Sequence, residues 1–547
     1  MAVTDLGLRT IKRRDKLVAK QAPWLPTWRD LGDYISPRKT NTLYSRSKGA
    51  KQTSRLFDST ALDAATKLSA SMQGSLTSAA SRWFSLVYAK RELNKMKEAR
   101  DWLEDASVRI YQMYSESNFY SEIAEVYLDL DVFATAVILQ EEKGNATDPE
   151  SPFGGYLFRA LSIGEYAVAE DAEGFVDTVF RTFKLTARVM VGQFGDTVSQ
   201  KVQDKFKSDP DEEFEVIHAV YPRPDIARDI EGSVLGPQRP WASVYVEVQT
   251  KTVLKETGFY TFPYAAPRWA KASGEEYGRG PGFDALPDVK TLNRAVEMKL
   301  KAWAKALDPP LKVRDKGVIG QTQTAAGGQT SVRDMDSVQP LYEVGARFNV
   351  TNLEEEKLKT AIRAIFFVDQ IQLRDGPMMT AEESRIRFEL MQRILGPTLG
   401  RLQAELLGPI ISRSFDLALR RGALSTPPEI VLKEGRQTLV RYENPLARAQ
   451  RLGEVEAVQR YISIVAPLEE LHPEIADNID YDFLAKNTAE VVGVPSAAIR
   501  DAQQVEEIRV KRAEDQAKAA EMQQTLEMAK AAGQAAPMIK AAQGMGA

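Results

Sequence analysis

The feature that most restricts how this chain can fold is a pair of helices that flank a compact polar insert. The first has apolar side chains at helical spacing: Val289, Leu292, Val296, Leu300, Trp303 and Leu307. Pro309 and Pro310 end it. The second opens at Thr351 with a capping-box pattern and is predicted to run to Leu373. Because helices of similar length on either side of an insert return the chain to its starting level, the pattern indicates a protruding stem.

Composition places the chain among ordinary folded proteins, with 547 residues, 43% hydrophobic and 27% charged. No apolar run approaches the roughly 18 residues that a membrane span needs. The basic start, Met1 to Lys20, lacks the apolar stretch of a secretory signal, so we expect synthesis in a cytoplasm. The net charge is −4, from 72 basic and 76 acidic residues, so any contact with nucleic acid must be local.

The residues that usually carry catalysis or bind metals are scarce. The chain has no cysteine, which excludes disulfides and thiolate sites, and its two histidines, His218 and His472, are expected at the surface or in loops. Gly278, Gly280 and Gly282 lack the preceding strand and the lysine of a phosphate-binding loop. We therefore expect no catalytic residues, no metal and no cofactor.

The rest of the chain is predicted to be α+β and mainly helical. An N-terminal helical lobe, with a run from Phe119 to Val137, precedes a β-rich lobe at 155–267 that contains a helical insert at 185–194. A second capping box, Thr380 with Glu383, opens a long helical tract to Arg421, with kinks expected at Gly396, Pro397 and Pro409. The remaining C-terminal part is helical and polar.

The strongest charge signal is a basic run from Lys290 to Lys316. It holds eight basic residues against the acids Glu297, Asp308 and Asp315: Lys290, Arg294, Lys299, Lys301, Lys305, Lys312, Arg314 and Lys316. On a single helix, a basic run of this kind would simply form the face that is exposed to solvent. If several copies were arranged around an axis, these charges would repeat and their fields would add, and they would attract nucleic-acid phosphate or an acidic partner without sequence specificity. The sequence does not distinguish these alternatives.

Ala364 to Val368 is apolar around the whole helix circumference. We therefore predict that Ile365, Phe366, Phe367 and Val368 are buried between subunits of an oligomer.

Four segments, in order, carry a resemblance to a known family. They are Leu56–Phe84, which ends in a Trp-Phe pair, Glu165–Phe194, Arg268–Asn293 and Gly376–Gly422. With the weaker stretches between them they cover roughly residues 20 to 425, and in this order they resemble the portal, or head-to-tail connector, proteins of short-tailed bacteriophages.

The resemblance implies the phage portal fold of wing, stem, clip and crown, usually assembled as a twelve-fold ring at one capsid vertex. The implied parts are a wing (1–287), a stem helix (288–307), a clip (308–351), a second stem helix (352–373), a channel loop (374–380), a long wing helix (381–442), and a crown and tail (443–547). The implied channel loop consists of Arg374, Asp375, Gly376, Pro377, Met378, Met379 and Thr380.

The implied function is a channel for packaging and ejecting double-stranded DNA. The implied partners are the terminase packaging motor, a tail adaptor, and the major capsid and internal core or scaffold proteins. The protein would be made in the host cytoplasm and would lie in the virion. The alternatives are a virion scaffold or tail adaptor that encloses no DNA, and an enzyme such as a nuclease, which the scarcity of histidine and cysteine disfavours.

Overall fold

The computed structural model describes most of the chain. The described residues are 2–44, 49–143, 153–224, 226, 235–307, 310–314, 316–319, 321, 323, 329–340, 348–371, 396–434, 438–442, 455, 457–467, 474, 479–492, 500 and 504–523. The structure is about 56% helical and 19% strand, which confirms the predicted α+β, mainly helical class. The chain divides into a main unit, residues 1–89, 104–426 and 437–446, and a second unit, residues 90–103, 427–436 and 447–547.

The described part of the main unit contains a series of helices. They are α1 (Ala2–Gln21), α2 (Leu25–Tyr34), α3 (Thr60–Leu76), α5 (Lys97–Glu116, which begins in the second unit), α6 (Phe119–Phe133), α7 (Ala187–Phe194), α8 (Gln200–Ser208), α9 (Pro281–Leu307), α10 (Phe348–Ile365), α11 (Val368–Ile371), α12 (396–402) and α13 (Gly408–Arg420). A π-helical turn, Gln403–Leu407, separates α12 from α13. The second unit contains α4 (Arg91–Lys95), α14 (Glu429–Glu434), α15 (457–467), α16 (Tyr481–Val492) and α17 (504–523).

In the described part of the chain the strands form four antiparallel groups. They are β1 (Phe84–Tyr88), β2 (Val137–Glu142), β3 (Tyr156–Leu161), β4 (Tyr166–Glu170), β5 (Val176–Thr186), β6 (Glu213–Pro222), β7 (Trp241–Glu247), β8 (Val253–Phe259), β9 (Tyr264–Ala265), β10 (Leu311–Val313), β11 (Val338–Pro340) and β12 (Thr438–Tyr442). Strands β4 to β8 form a five-stranded sheet in chain order, β2 lies between β3 and β9, and β1 pairs with β12 and β10 with β11. The predicted β-rich lobe and its helical insert, now α7, are confirmed.

The five-stranded sheet is buried on both faces. Successive side chains of a strand point to opposite faces. Phe214 and Val216 of β6 pack with residues of α7 and α8, whereas Ile217 and Ala219 pack with Leu17 of α1. The amphipathic N-terminal helix therefore covers one face of the sheet.

Helix α6 ends earlier than the sequence predicts. It stops at Phe133, because Ala134 takes a left-handed backbone conformation with φ 58°, and Val137 begins strand β2 instead of continuing the helix. Trp83 of the Trp-Phe pair is fully buried and its ring stacks on those of Tyr114 and Phe119. In the part of the chain that is described, no helix has both the length and the apolarity needed to cross a bilayer.

Candidate channel and partner interface

Helix α9, which contains the first predicted stem helix, begins at Pro281, seven residues before Asp288. In its first half the predicted apolar stripe is buried: Val289 and Leu292 are each 1% exposed, and the helix packs on α2 and α6. In the second half of α9 the side chains of the same stripe are exposed to solvent, Leu300 by 45% and Trp303 by 42%. One helix therefore joins a buried part to a part with uncovered apolar side chains.

Helix α10 differs at both ends from the predicted second stem helix. It begins at Phe348, so Thr351 lies inside the helix and is not its cap. It ends at Ile365 and does not continue to Leu373, because Phe367 adopts a left-handed conformation with φ 59° before the short helix α11. The expectation of one uninterrupted helix through this region is wrong.

The apolar run at this break is largely covered by the chain's own packing. Phe366 and Val368 are buried, Ile365 and Phe367 are half-buried, and Ala364 is exposed. Helices α10 and α11 pack on α3, and the Phe367 ring stacks on Trp269 with the ring centres 6.4 Å apart. Burial of these residues between subunits stays a prediction, although for Phe366 and Val368 packing within one chain already suffices.

A largely buried ion pair joins α9 to α10. Lys299 Nζ lies 2.9 Å from Glu355 Oε2, and the two side chains are only 13% and 7% exposed. The lysine also lies 5.2 Å from the ring centre of Trp303. The expectation that Lys299 is a surface charge is therefore wrong, because the residue falls on the face of α9 that packs against α10.

The other cations in the first half of the basic run are also ion-paired. Lys290 bonds Asp30 at 2.8 Å, while Arg294 and Lys301 both bond Glu297, at 2.9 and 2.5 Å. We call Lys290, Arg294, Lys299 and Lys301 the paired half. These four cations lie against three carboxylates, because Arg294 and Lys301 share Glu297, so all but one of their charges are compensated locally.

The second half of the run differs. Lys305, Lys312, Arg314 and Lys316 are exposed, and none has a carboxylate partner among the described residues. We call these four residues the free half. Three of them lie in or next to β10, which pairs with β11 in the register Leu311 with Pro340 and Val313 with Val338.

Further backbone bonds hold this hairpin together. Arg314 N donates to Ser337 O at 3.0 Å, Arg333 N donates to Gly317 O at 2.8 Å, and Ile319 N donates to Ser331 O at 2.8 Å. Exposed Arg333 adds a fifth cation, and Met335 is 92% exposed. The hairpin thus combines exposed positive charge with uncovered apolar side chains.

His218 is not the surface or loop histidine that the sequence suggested. It is buried in β6, where its Nε2 lies 2.9 Å from Ser243 Oγ, its Nδ1 lies 3.0 Å from Tyr264 Oη, and its ring stacks on Tyr245. Burial, and secondarily Arg181 and Arg159, lowers the pKa of His218 to about 3. The ring is therefore neutral and belongs to the sheet core. His472 lies outside the described residues.

Three of the four resemblance segments meet at one buried arginine. Arg268 is fully buried and bonds Glu405 with its Nε and Nη2 atoms, at 3.1 and 2.8 Å. It also contacts Glu170 of β4, and its Nη2 donates to the carbonyl of Gly174 at 2.9 Å. Breaking a buried pair of this kind is strongly destabilising because a charge is left without compensation.

Neither Arg268 nor Glu405 was singled out in the sequence. Their ion pair joins residues 137 positions apart, which no local pattern reveals. The signal that was available is Pro409, where a kink in the long helical tract was expected, and the π-helical turn ends two residues before it. The predicted channel loop, 374–380, and the capping box at Thr380 lie outside the described residues.

Across the described ranges no three histidine, aspartate or glutamate side chains converge so as to hold a metal ion. The features brought together at the candidate interface are instead an exposed apolar helix face and a cationic hairpin.

Comparisons with known proteins agree on one family. The family model for the bacteriophage head to tail connecting protein matches residues 9–499. The chain is 30% identical to a probable portal protein of Bordetella phage BPP-1 over 92% of this chain and 91% of that one. It is 29% identical to the portal protein of Salmonella phage epsilon15, over 98% and 95% of the two chains.

A more distant relative is the portal protein of Enterobacteria phage T3, 23% identical over 76% of this chain and 74% of that one. The family match extends over nearly the whole chain and includes all four segments on which the resemblance was based. The predicted resemblance is confirmed, and the chain belongs to the family of bacteriophage head-to-tail connecting, or portal, proteins.

Proposed function

We propose that the chain assembles as a closed ring, twelve-fold by the family resemblance, around a channel for double-stranded DNA at one capsid vertex. The proposal rests on one observation, the solvent exposure of apolar side chains in the second half of α9. Four large apolar side chains are exposed to solvent in a single chain: Met298, Leu300 and Trp303 on α9, and Leu353, which is 60% exposed, on α10. Apolar surface of this kind marks a protein interface, and a second copy of the chain is the occupant proposed here.

A charge change on this face tests the assembly. Replacing Leu300 and Trp303 together by Asp places charge on the surface that would be buried between copies, and assembly should fail while the monomer stays folded. The matched control is Val18→Asp, on an exposed position of α1. Light scattering on the full-length chain reports the outcome. A stable, folded monomer of the unaltered chain at micromolar concentration would contradict the ring.

The free half gives the ring its proposed electrostatic role. Repeated around a ring, four exposed cations per chain produce a field that attracts phosphate or an acidic protein surface. Lysines behave as hydrated point charges, so contact with the DNA backbone would be independent of sequence. The proposed stem is 288–307 with 352–373, and the proposed clip is 308–351.

The clip hairpin is also the proposed docking surface for the terminase packaging motor and later for the tail adaptor. The wing (1–287 and 381–442) and the crown (443–547) would meet the major capsid and internal core or scaffold proteins. The channel loop, Arg374 to Thr380, would contact the moving duplex. Deletion of Met378 and Met379 from this loop should impair DNA packaging or DNA retention.

The proposed role is geometric and includes no reaction. The protein would be made in the host cytoplasm and would function in the virion. A scaffold or tail adaptor that encloses no DNA is the competing outcome, and an assembly without an axial hole would favour it. Hydrolysis of DNA in the presence of magnesium would favour an enzyme.

A further inference from the structure

The long helix departs from α-helical geometry at Gln403–Leu407. There the N–H of Gly408 donates to the carbonyl of Gln403, five residues back instead of four. A π-helical turn of this kind contains one residue more than the α-helix needs, and such turns occur frequently at functional sites.

The local sequence makes the wider turn possible. Pro409 has no N–H to offer, and its ring would clash with the carbonyl four residues before it, that of Glu405. At Gly408 a Cβ atom would lie only 2.8 Å from the Gln403 carbonyl oxygen. The same oxygen accepts a bond from the Tyr442 hydroxyl at 3.0 Å. Pro409 thus disfavours the normal α-helical turn, and Gly408 leaves room for the wider one.

Contacts from outside the helix hold the turn in place. The Glu405 carboxylate accepts bonds from the backbone N–H of Arg268 at 2.9 Å, from the Arg268 guanidinium, and from Arg401 Nη1 at 3.2 Å. Arg268 is anchored in turn to Glu170 and to the Gly174 carbonyl at the β4–β5 hairpin, and Lys271 bonds Glu170 at 2.6 Å. The position of one helix residue is therefore fixed by a separate part of the main unit.

We propose that Glu405 and Arg268 form a register lock that retains the extra residue in the long helix. One residue of an α-helix corresponds to a rotation of about 100° and a rise of about 1.5 Å. When the lock is removed, the turn closes toward an α-helix that is kinked at Pro409, and the chain N-terminal to it rotates and shifts by about these amounts. Glu405 and Arg268 are thus positioning residues for the N-terminal part of the long helix.

The consequence for the channel rests on the proposed function. The segment that the lock orients follows the proposed channel loop, 374–380, in the sequence. The lock would therefore set the direction from which that loop meets DNA. Because a change of helix register can be measured without DNA or a channel, the lock and the proposed ring can fail separately.

Thiol labelling measures the rotation, because the chain has no cysteine of its own. Gly400→Cys and Leu402→Cys each introduce one thiol in α12, at an exposed and at a buried position. Residues 399, 401 and 403 are all half-buried, so a slip by one residue makes position 400 less exposed and position 402 more exposed. Each thiol is placed in the full-length assembled protein with Glu405→Gln and, as a matched control, with Glu275→Gln, which breaks a surface pair with Arg279.

With Glu405→Gln, the reaction rate with a maleimide should fall severalfold at position 400 and rise severalfold at position 402. With Glu275→Gln, neither rate should change. Rates that rise at both positions would indicate local unfolding, and unchanged rates would indicate no lock; either result overturns the proposal. If Glu405→Gln does not fold, Arg268→Lys is the second variant, because it keeps the positive charge but cannot make the two parallel hydrogen bonds of a guanidinium. It should also lower the rate at position 400 and raise the rate at position 402, by smaller factors.

Discussion

The paired half and the free half of the basic run have the same number of cations but different surroundings. In the paired half every cation lies against a carboxylate, and Lys299 with Glu355 is largely buried between α9 and α10. In the free half all four cations face solvent without a carboxylate partner in the described part of the chain. A charge count along a sequence therefore does not tell which charges are available to a ligand. The charges of the free half are the less compensated of the two sets, so its outward field is the stronger.

The largest effect on stability is expected from the buried member of the paired half. Lys299→Gln leaves the Glu355 carboxylate without its cation, and Glu355 Oε1 already has no hydrogen-bond partner among the described residues. We expect a loss of about 2–3 kcal/mol in the free energy of unfolding, measured by urea denaturation.

The double variant Lys299→Met with Glu355→Leu is the control, because it removes both charges. It should recover most of the loss. A change below about 0.5 kcal/mol for Lys299→Gln would mean that the pair behaves as a surface pair, and the contrast between the two halves would weaken.

The second prediction concerns binding by the free half. Replacing Lys305, Lys312, Arg314 and Lys316 together by Gln should leave stability within about 0.5 kcal/mol of the original, because all four are exposed. Binding to a double-stranded DNA fragment should weaken and depend less on salt. The slope of log K against log salt becomes shallower by about 0.9 for each phosphate that is no longer neutralised, so by up to about 3.6 for four.

Two controls make this measurement specific. Replacing the three lysines by Arg keeps the charge and should leave the slope unchanged. Replacing Lys290, Arg294 and Lys301 by Gln removes three charges from the paired half and should change the slope little. An equal reduction of the slope by changes in the two halves would show that the ion pairs do not decide which cations act.

The smallest effect is expected from the exposed pairs. Lys290→Gln breaks one bond, to Asp30, between side chains that are both partly exposed. Surface pairs contribute about 0–1 kcal/mol, so the free energy of unfolding should change by less than about 1 kcal/mol. A loss as large as that of Lys299→Gln would indicate that Lys290 also holds α9 against α2. Calorimetry at two salt concentrations would then separate the contribution of the ion pair, which salt weakens, from that of side-chain packing.

The sequence predicted what depends on local pattern. Helical spacing correctly predicted α9 and the burial of Val289 and Leu292, and the expected kink at Pro409 lies next to the π-helical turn. Periodicity shows which side chains share a face, but it does not show what covers that face. For this reason the exposure of Leu300 and Trp303 was not predictable.

The errors come from contacts distant in sequence. Lys299 meets Glu355, 56 residues away, and its burial depends on how α9 and α10 pack. Phe367 interrupts its helix with a left-handed backbone, which no propensity of phenylalanine indicates. His218 is buried because β6 lies in the middle of a five-stranded sheet, a position set by strand order.

Whether this chain forms a closed ring with an axial channel can be seen directly by end-on electron microscopy of the purified full-length protein. We expect closed rings with a central hole, close to twelve-fold, that disappear when Leu300 and Trp303 are replaced by Asp. Monomers, or assemblies without a hole, from the unaltered chain under the same conditions would contradict the proposed channel.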